Sequence, residues 1–247
     1  MLDSFVYDVY TKEMQPADRK NSAADNLRTL ILTLELAPGA DLDEARLCKQ
    51  YALSRTPMRE VLRQLAGEGY VSLRQNRGAQ VSEMSHRSLR AFFIAAPMIY
   101  GAILQLAASH RTEAQLDALR DAQERFRTSL RSGTTAERAL ANNRFHAITG
   151  DMADNPFLTP SFNRLLLDHA RISMTFYQPR DDGQKRNVDL ACKQHDQIIA
   201  AITARDAQRA TQLADAHWQL SRDQISQFVM PGGLDLPLGT MPQEARA

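Results

Sequence analysis

Between Ser54 and Val81 the hydrophobic period changes once, and that change restricts the fold more than any other feature of the chain. In SRTPMREVLRQLAGEGY the apolar side chains Met58, Val61, Leu62 and Leu65 recur at i, i+3, i+4 and i+7, one stripe of an α-helix. Ser54, or the Thr56-Pro57 pair, opens that helix, and Gly67 and Gly69 end it. From Val71 the period falls to two. Val71 and Leu73 alternate with Ser72, residues 74–78 (RQNRG) make a turn, and Ala79 to Val81 return. Two helical segments come earlier. Leu27, Leu30, Ile31 and Leu34 form the stripe of a helix from about Ser22 that Pro38-Gly39 stops. Asp43 caps a second, shorter one with Leu47 and Tyr51 turned inward. Three short helices followed by a hairpin outline a winged helix-turn-helix.

After about Ser85 strand signals vanish. Six helical segments follow, at 88–109, 112–131, 135–152, 156–177, 185–204 and 207–229, with breaks at Ser132-Gly133, Asn155-Pro156 and Pro179 to Gly183. Pro97 and Gly101 interrupt the first, which reads as kinked or as two helices. The fold class is therefore mainly α: an N-terminal winged helix-turn-helix and a C-terminal all-helical bundle. The organisation reads as a polar leader over 1–20, a winged domain over 21–84, a helical effector-binding and dimerisation domain over 85–230, and a loose Pro/Gly-rich tail over 231–247. With 247 residues and 43% apolar side chains, two modest cores need no covalent staples. No apolar run approaches the ~20 residues of a membrane span, and the mixed, charged N-terminus lacks a signal-peptide core. Cys48 and Cys192 lack metal-type spacing, and the expectation is two reduced thiols in a cytoplasmic protein without a membrane partner.

The formal net charge of +1 does not announce a nucleic-acid partner, but its distribution is uneven. Between Ala45 and Gln80 seven cationic side chains stand against two glutamates, a local excess that suits one anionic contact surface and equally suits a solvated helix face. The stripe helix decides between them. Arg55, Arg59 and Arg63 fall at i, i+4 and i+8 on a face away from the buried stripe. A helix fits the major groove, and arginine offers paired donors to guanine O6 and N7. Arg55 and Arg59 are expected to touch DNA, with Ser54 and Thr56 on phosphates at the helix start. At the hairpin tip Arg77 stands beside Gly78, whose freedom at positive φ allows close backbone approach. A projecting wing arginine can enter the minor groove.

Of six histidines, His195 and His217 lie 22 residues apart on the last two segments, with Asp206 at the midpoint. If those helices are antiparallel, each histidine sits about 16 Å from the turn along its own helix, and the two are level. His146 shares a helix face with Asn142 at i, i+4. Three imidazoles and one amide oxygen are a possible set for Zn, Ni or Mn. Spacing alone does not bring the helix of His146 against the other two, and single helical histidines are commonly surface or core groups.

The stretch from Leu27 to Val81, carried by LRTLILTLELAPGADLDEARL, SRTPMREVLRQLAGEGYV and the wing RQNRGAQV, resembles the DNA-binding domain of the GntR family of bacterial transcription regulators. The resemblance implies DNA contacts at Arg55, Arg59, Arg77 and Gly78. It also exposes a departure: Ala45 stands where some members carry an arginine. The C-terminal half, through NNRFHAITGDMADNPFL and CKQHDQIIAAITARDAQRATQLADAHW, is similar to the FadR-type (FCD) ligand-binding domain. That resemblance implies a divalent metal held by Asn142, His146, His195 and His217, with the neutral Asn142 in the place of an acidic ligand. The Arg and Glu common near the start of such domains are also missing from PMIYGAILQLAA, which implies a more apolar wall there.

The function implied is a homodimeric regulator, a repressor by the family's habit, that binds double-stranded operator DNA and responds to a small carboxylate effector. Three neutral imidazoles and an amide leave a bound dication its full charge, and Arg171 on a neighbouring helix is a further candidate anchor for an anion. Two other readings compete. One is an architectural DNA binder with a purely structural bundle. The other is a metal-dependent enzyme, against which stand the absence of HExxH, a Gly-rich phosphate loop and a nucleophile elbow.

Overall fold

The computed structural model describes residues 15–74 and 78–229. Its N-terminal part runs α1 (Pro16–Leu32), β1 (Asp41–Leu42), α2 (Glu44–Gln50), α3 (Arg55–Gly67), β2 (Val71–Arg74) and β3 (Gly78–Val81). Six helices follow: α4 (His86–His110), α5 (Glu113–Ser132), α6 (Thr135–Ala153), α7 (Thr159–Phe176), α8 (Asp182–Thr203) and α9 (Ala207–Val229). The mainly α class with a winged N-terminal unit is as the hydrophobic periods require.

Local chemistry sets the boundaries. The Asp43 carboxylate accepts from the Ala45 and Arg46 amides at the start of α2. Thr112 with Gln115, and Thr134 with Glu137, form capping boxes that open α5 and α6. Asp181 caps α8 through the Gln184 amide, so that helix starts at Asp182, three residues before the expected position. α1 begins at Pro16, inside the segment expected to be a leader, and ends at Leu32. Leu34, expected in its stripe, sits beyond the helix at φ 61°. The Thr33 hydroxyl turns back onto the Thr29 carbonyl, and the Leu36 amide closes on Leu30 O, so the helix stops before Pro38-Gly39 is reached. Residues 1–14, 75–77 and 230–247, which include Arg77, the rest of the leader and the tail, lie outside the described residues.

The winged unit buries the predicted stripe. Met58, Val61 and Leu65 are at 0% exposure and Leu62 at 3%, packed with Leu27, Ile31 and Tyr51. Each such side chain contributes about 1.5–3 kcal/mol of burial free energy. β2 and β3 pair antiparallel with Val71 opposite Val81 and Arg74 opposite Gly78. The two-residue β1, too short to show a period, adds to the far edge of β3, giving the order β1-β3-β2.

In the helical part, α4 packs on α6 and α9, α5 on α6, and α8 on α9. α4 corrects two expectations. It is one continuous helix through Pro97, which excludes the two-helix alternative, and a Cβ at Gly101 would make only an ordinary contact with Thr211 Cγ2 of α9, at 3.6 Å. It is also long and apolar enough to cross a membrane, contrary to the expectation that no segment comes close. Here it serves as a core helix, burying Phe92, Tyr100, Ile103 and Leu104. Two of its apolar side chains face outward, Ile94 63% and Met98 66% exposed.

The two parts share packing. Leu167 and Ala170 of α7 belong to the hydrophobic cluster of the winged unit, while Phe162, Leu166 and Ile172 of the same helix lie in the helical core. At this seam Gly69 has φ +85°, and a Cβ there would stand 2.6 Å from Cδ of Arg164. Gly69→Ala is therefore expected to lower the unfolding free energy by about 1–2 kcal/mol, from left-handed strain, while the half-exposed Arg164 side chain swings aside. Urea denaturation measures this, and a wild-type midpoint for Gly69→Ala would refute the strain at that position.

Candidate nucleic-acid interface and metal centre

α3 presents two faces because its apolar stripe is spent inward. Arg55, Arg59 and Arg63 are all exposed. With Glu44 and Ala45 of α2 and Leu73, Arg74, Gly78 and Ala79 of the hairpin they line one concave surface of about 550 Å³. The fold thus gathers the helix arginines and the base of the wing on a single side. Ser54 is the N-cap residue of α3 but makes no side-chain cap bond, which leaves its hydroxyl and the first-turn amides open to an anion. Thr56 is exposed in that first turn. Gly78, at φ +77°, starts β3 opposite Arg74.

Sequence reasoning missed the partner of Arg59. Its Nε lies 2.9 and 3.1 Å from the two carboxylate oxygens of Glu44. The pair is open to solvent, with the Arg59 side chain 56% exposed, so it restrains the guanidinium while costing little to exchange for phosphate or a base. Ala45, the departure noted above, lines the same surface without offering a donor.

Deep in the helical part, His146 of α6, His195 of α8 and His217 of α9 converge. One ring nitrogen of each lies within 4.8 Å of the others, and all three residues are buried. Glutamines orient two of the rings. Nδ1 of His195 is 3.0 Å from Gln123 Oε1, and the Gln123 amide nitrogen donates to the Cys192 carbonyl and to Asp196 Oδ1, each at 3.0 Å. That amide orientation makes the imidazole the donor through Nδ1–H and leaves Nε2 as a bare lone pair. His217 makes the same contact, Nδ1 to Gln194 Oε1 at 2.9 Å. Phe145 stacks on the His195 ring at 3.8 Å and 8°.

Burial keeps these rings neutral. It drives His146 and His195 well below the ordinary histidine range, helped by the neighbouring imidazoles, and lowers His217 to about 4. Neutral imidazole is the form that ligates metal. His146 Nε2, His195 Nε2 and Asn142 Oδ1 are buried without any hydrogen-bond partner. Unsatisfied buried polar atoms are costly, and three of them beside the converging imidazoles fit a divalent cation. Asn142 is one turn from His146 on the same face of α6 and 1% exposed. The glutamine contacts supply the outer hydrogen bonds that metal-binding histidines characteristically make.

A fourth histidine, which sequence spacing did not single out, closes the chamber. His169 of α7 hydrogen-bonds through Nδ1 to Tyr100 Oη at 2.6 Å, and its ring centroid lies 5.0 Å from that of His146. Tyr100 belongs to the segment expected to leave an apolar wall, so that wall carries a polar pair. Tyr100, His146, His169, His217 and Trp218 surround a void of about 10 Å³, room for one water-sized group. Arg171 lies elsewhere: it is 1% exposed, donates to the Ser82 carbonyl at 3.0 Å and pairs with Asp168 at 3.4 Å, against the winged unit.

Comparison with known proteins agrees with this division. Residues 19–81 match the family model described as bacterial regulatory proteins, gntR family, and residues 98–220 match the FCD domain. The HTH-type transcriptional repressor RspR of Escherichia coli (strain K12) is 24% identical over 202 residues, covering 82% of this chain and 86% of that protein. The HTH-type transcriptional regulator LutR of Bacillus subtilis (strain 168) is 25% identical over 213 residues, covering 78% and 95%. An HTH-type transcriptional regulator of Streptomyces ambofaciens is 50% identical over 58 residues, a quarter of its own length. Among solved structures, E. coli McbR/YncC superposes with a TM-score of 0.71 at 18% identity, covering 85% of this chain and 98% of that one. A putative GntR regulator from Rhodococcus sp. RHA1 gives 0.64 at 18%, covering 84% and 97%. Winged unit and helical unit together assign the chain to the GntR family of bacterial regulatory proteins, with an FCD domain at its C-terminal end.

Proposed function

We propose that this protein is a DNA-binding transcription regulator, a repressor, whose hold on operator DNA is modulated by a small organic acid in its helical domain with the help of a divalent metal. The DNA-binding reading rests on the concave surface that collects Arg55, Arg59 and Arg63 with Arg74 and Gly78. Arg55 and Arg59 read base edges, Ser54 and Thr56 hold phosphates, and the wing with Arg77 and Gly78 follows the adjacent groove. Winged residues 21–84 and helical residues 85–230 act as the two working domains of a cytoplasmic regulator. The protein acts as a homodimer, because two recognition helices are needed for two half-sites about 34–36 Å apart. The outward face of α4, with Ile94 and Met98 one turn apart, supports self-association.

The metal reading is carried by three convergent imidazoles, two of them, His195 and His217, tied to glutamines through Nδ1, with His146 Nε2, His195 Nε2 and Asn142 Oδ1 buried without a partner. Asn142, His146, His195 and His217 would hold Zn, Ni or Mn. A bound ion would supply positive charge that neutral ligands leave uncancelled, attracting a carboxylate. Nothing in this arrangement resembles a general base beside a nucleophile, and regulation is favoured over catalysis.

Arg55→Ala and Arg59→Ala are each expected to weaken binding of the best duplex selected from a random DNA pool by about 1–3 kcal/mol. Fluorescence anisotropy at fixed salt measures this, and unchanged affinity in either variant removes that arginine from the contact set. Plasma mass spectrometry of untagged protein prepared without chelators should find near one metal ion per chain. His195→Gln should abolish that content, and Asn142→Asp should keep it at chelator concentrations that strip the wild type, since a carboxylate is the stronger partner for a dication. Metal held at a hundredfold over its dissociation constant should stabilise the fold by about 2.7 kcal/mol, so removal by chelator should lower Tm in the wild type and leave His195→Gln unmoved. Equal metal content in wild type and His195→Gln would sink the assignment.

A further inference from the structure

α7 has no solvent face at its middle. Nine consecutive residues, Leu165 to Ser173, are buried, because the helix is wedged between the histidine chamber and the winged unit. On the chamber side, His169 accepts from Tyr100. The phenol has no other acceptor among the described hydrogen bonds, so its hydrogen goes to Nδ1 and the neutral ring carries its own on Nε2. His169 thereby presents a donor to the void it lines with His146 and His217, suited to an acceptor oxygen of a carboxylate or water.

On the opposite side the neighbouring residues hold the wing. Asp168 accepts from Arg164 at 3.0 Å and pairs with Arg171 at 3.4 Å. Arg171 Nη1 donates to the Ser82 carbonyl. Ser82 in turn closes the hairpin base: its amide bonds the Tyr70 carbonyl at 2.9 Å and its hydroxyl the Gly69 carbonyl. A short path thus runs from the chamber to the root of β2 and β3, along the backbone from His169 to Arg171 and then across the hydrogen bond to Ser82. The grip is also incompletely satisfied, since Arg171 Nε and Nη2 are buried with no acceptor. A buried cation with spare donors is held at a cost, and a small shift of α7 that offers it another carbonyl is correspondingly easy to drive.

We propose that His169 reads what occupies the histidine chamber and that α7 reports it to the wing through Arg171 and Ser82. This rests on the effector reading above and assigns its regulatory route. Two displacements of the chamber separate the two claims: Zn²⁺, which needs the metal site, and His169→Phe, which does not. The measurement is hydrogen–deuterium exchange by mass spectrometry over residues 78–82 in the full chain, with Zn²⁺ uptake quantified in parallel. Zn²⁺ should change exchange there at least threefold in the wild type, and His169→Phe should do so without ligand. In Arg171→Met both effects should fall below twofold while Zn²⁺ uptake stays equal. Asp168→Asn, which loosens the arginine pair while keeping its volume, serves if Arg171→Met fails to fold, with the same expectation. Undiminished wing responses in the folded junction variants, or a wild-type wing indifferent to both perturbations, overturn the proposal. Absence of Zn²⁺ uptake strikes the metal reading alone, and the His169→Phe arm then decides.

Discussion

The packing of α7 into two hydrophobic clusters is the constraint on which the rest depends. Leu167 and Ala170 complete the core under α3, and Phe162 and Leu166 complete the core under α4. A linker alone would leave the two units free to reorient. Here a shared helix fixes the hairpin base against the bundle, and the Asp168 cluster adds direction to that apolar contact. The polar cluster is a poor source of net stability, because the buried Arg171 guanidinium shares the Asp168 carboxylate with the half-exposed Arg164 and keeps donors unpaired. Its consequence is geometric: it determines where the wing stands relative to the chamber, while the leucines determine that the two parts dock at all.

The chamber obeys the opposite economy. Four imidazoles in an apolar setting remain neutral because protonating any of them would bury a cation beside its neighbours. Neutrality releases their lone pairs, and the Gln123 and Gln194 contacts commit the outer nitrogens. What is left inside is a group of buried polar atoms without a partner, His146 Nε2, His195 Nε2 and Asn142 Oδ1. A purely structural bundle would more simply fill this space with leucine, as it does around Leu116 and Leu119, both fully buried. The persistence of unpaired acceptors in such a well-packed core is the strongest physical argument against the architectural reading.

Much of this was legible in the sequence because period and capping are local. The stripe Met58-Val61-Leu62-Leu65, the Asp43 cap and the last five helices are written in residues within a turn or two of one another. The level placement of His195 and His217 followed from their symmetry about Asp206, since a short turn between equal helical arms leaves little choice. The illegible parts are contacts across large sequence separation. Nothing near Arg59 points to Glu44, nothing near His195 points to Gln123, and Tyr100 meets His169 only because α4 and α7 pack together. The expectation of an apolar wall came from counting missing charges, and a tyrosine is polar only at its tip. Arg171 was read as a pocket residue because the chain cannot say which side of a fully buried helix faces which neighbour.

Size and charge together narrow what the chamber admits. A void of about 10 Å³ takes one oxygen atom's worth of ligand, so an effector larger than a carboxylate group must displace a wall. Trp218 and Tyr100 form the apolar side of that wall, tied into a cluster with Phe92 and Phe162, and offer little give. The wall with an alternative is α7, whose far side carries the under-satisfied Arg171. A ligand that enters by moving α7 acts on the wing in the same motion. On the proposed route, binding and signalling are then one event.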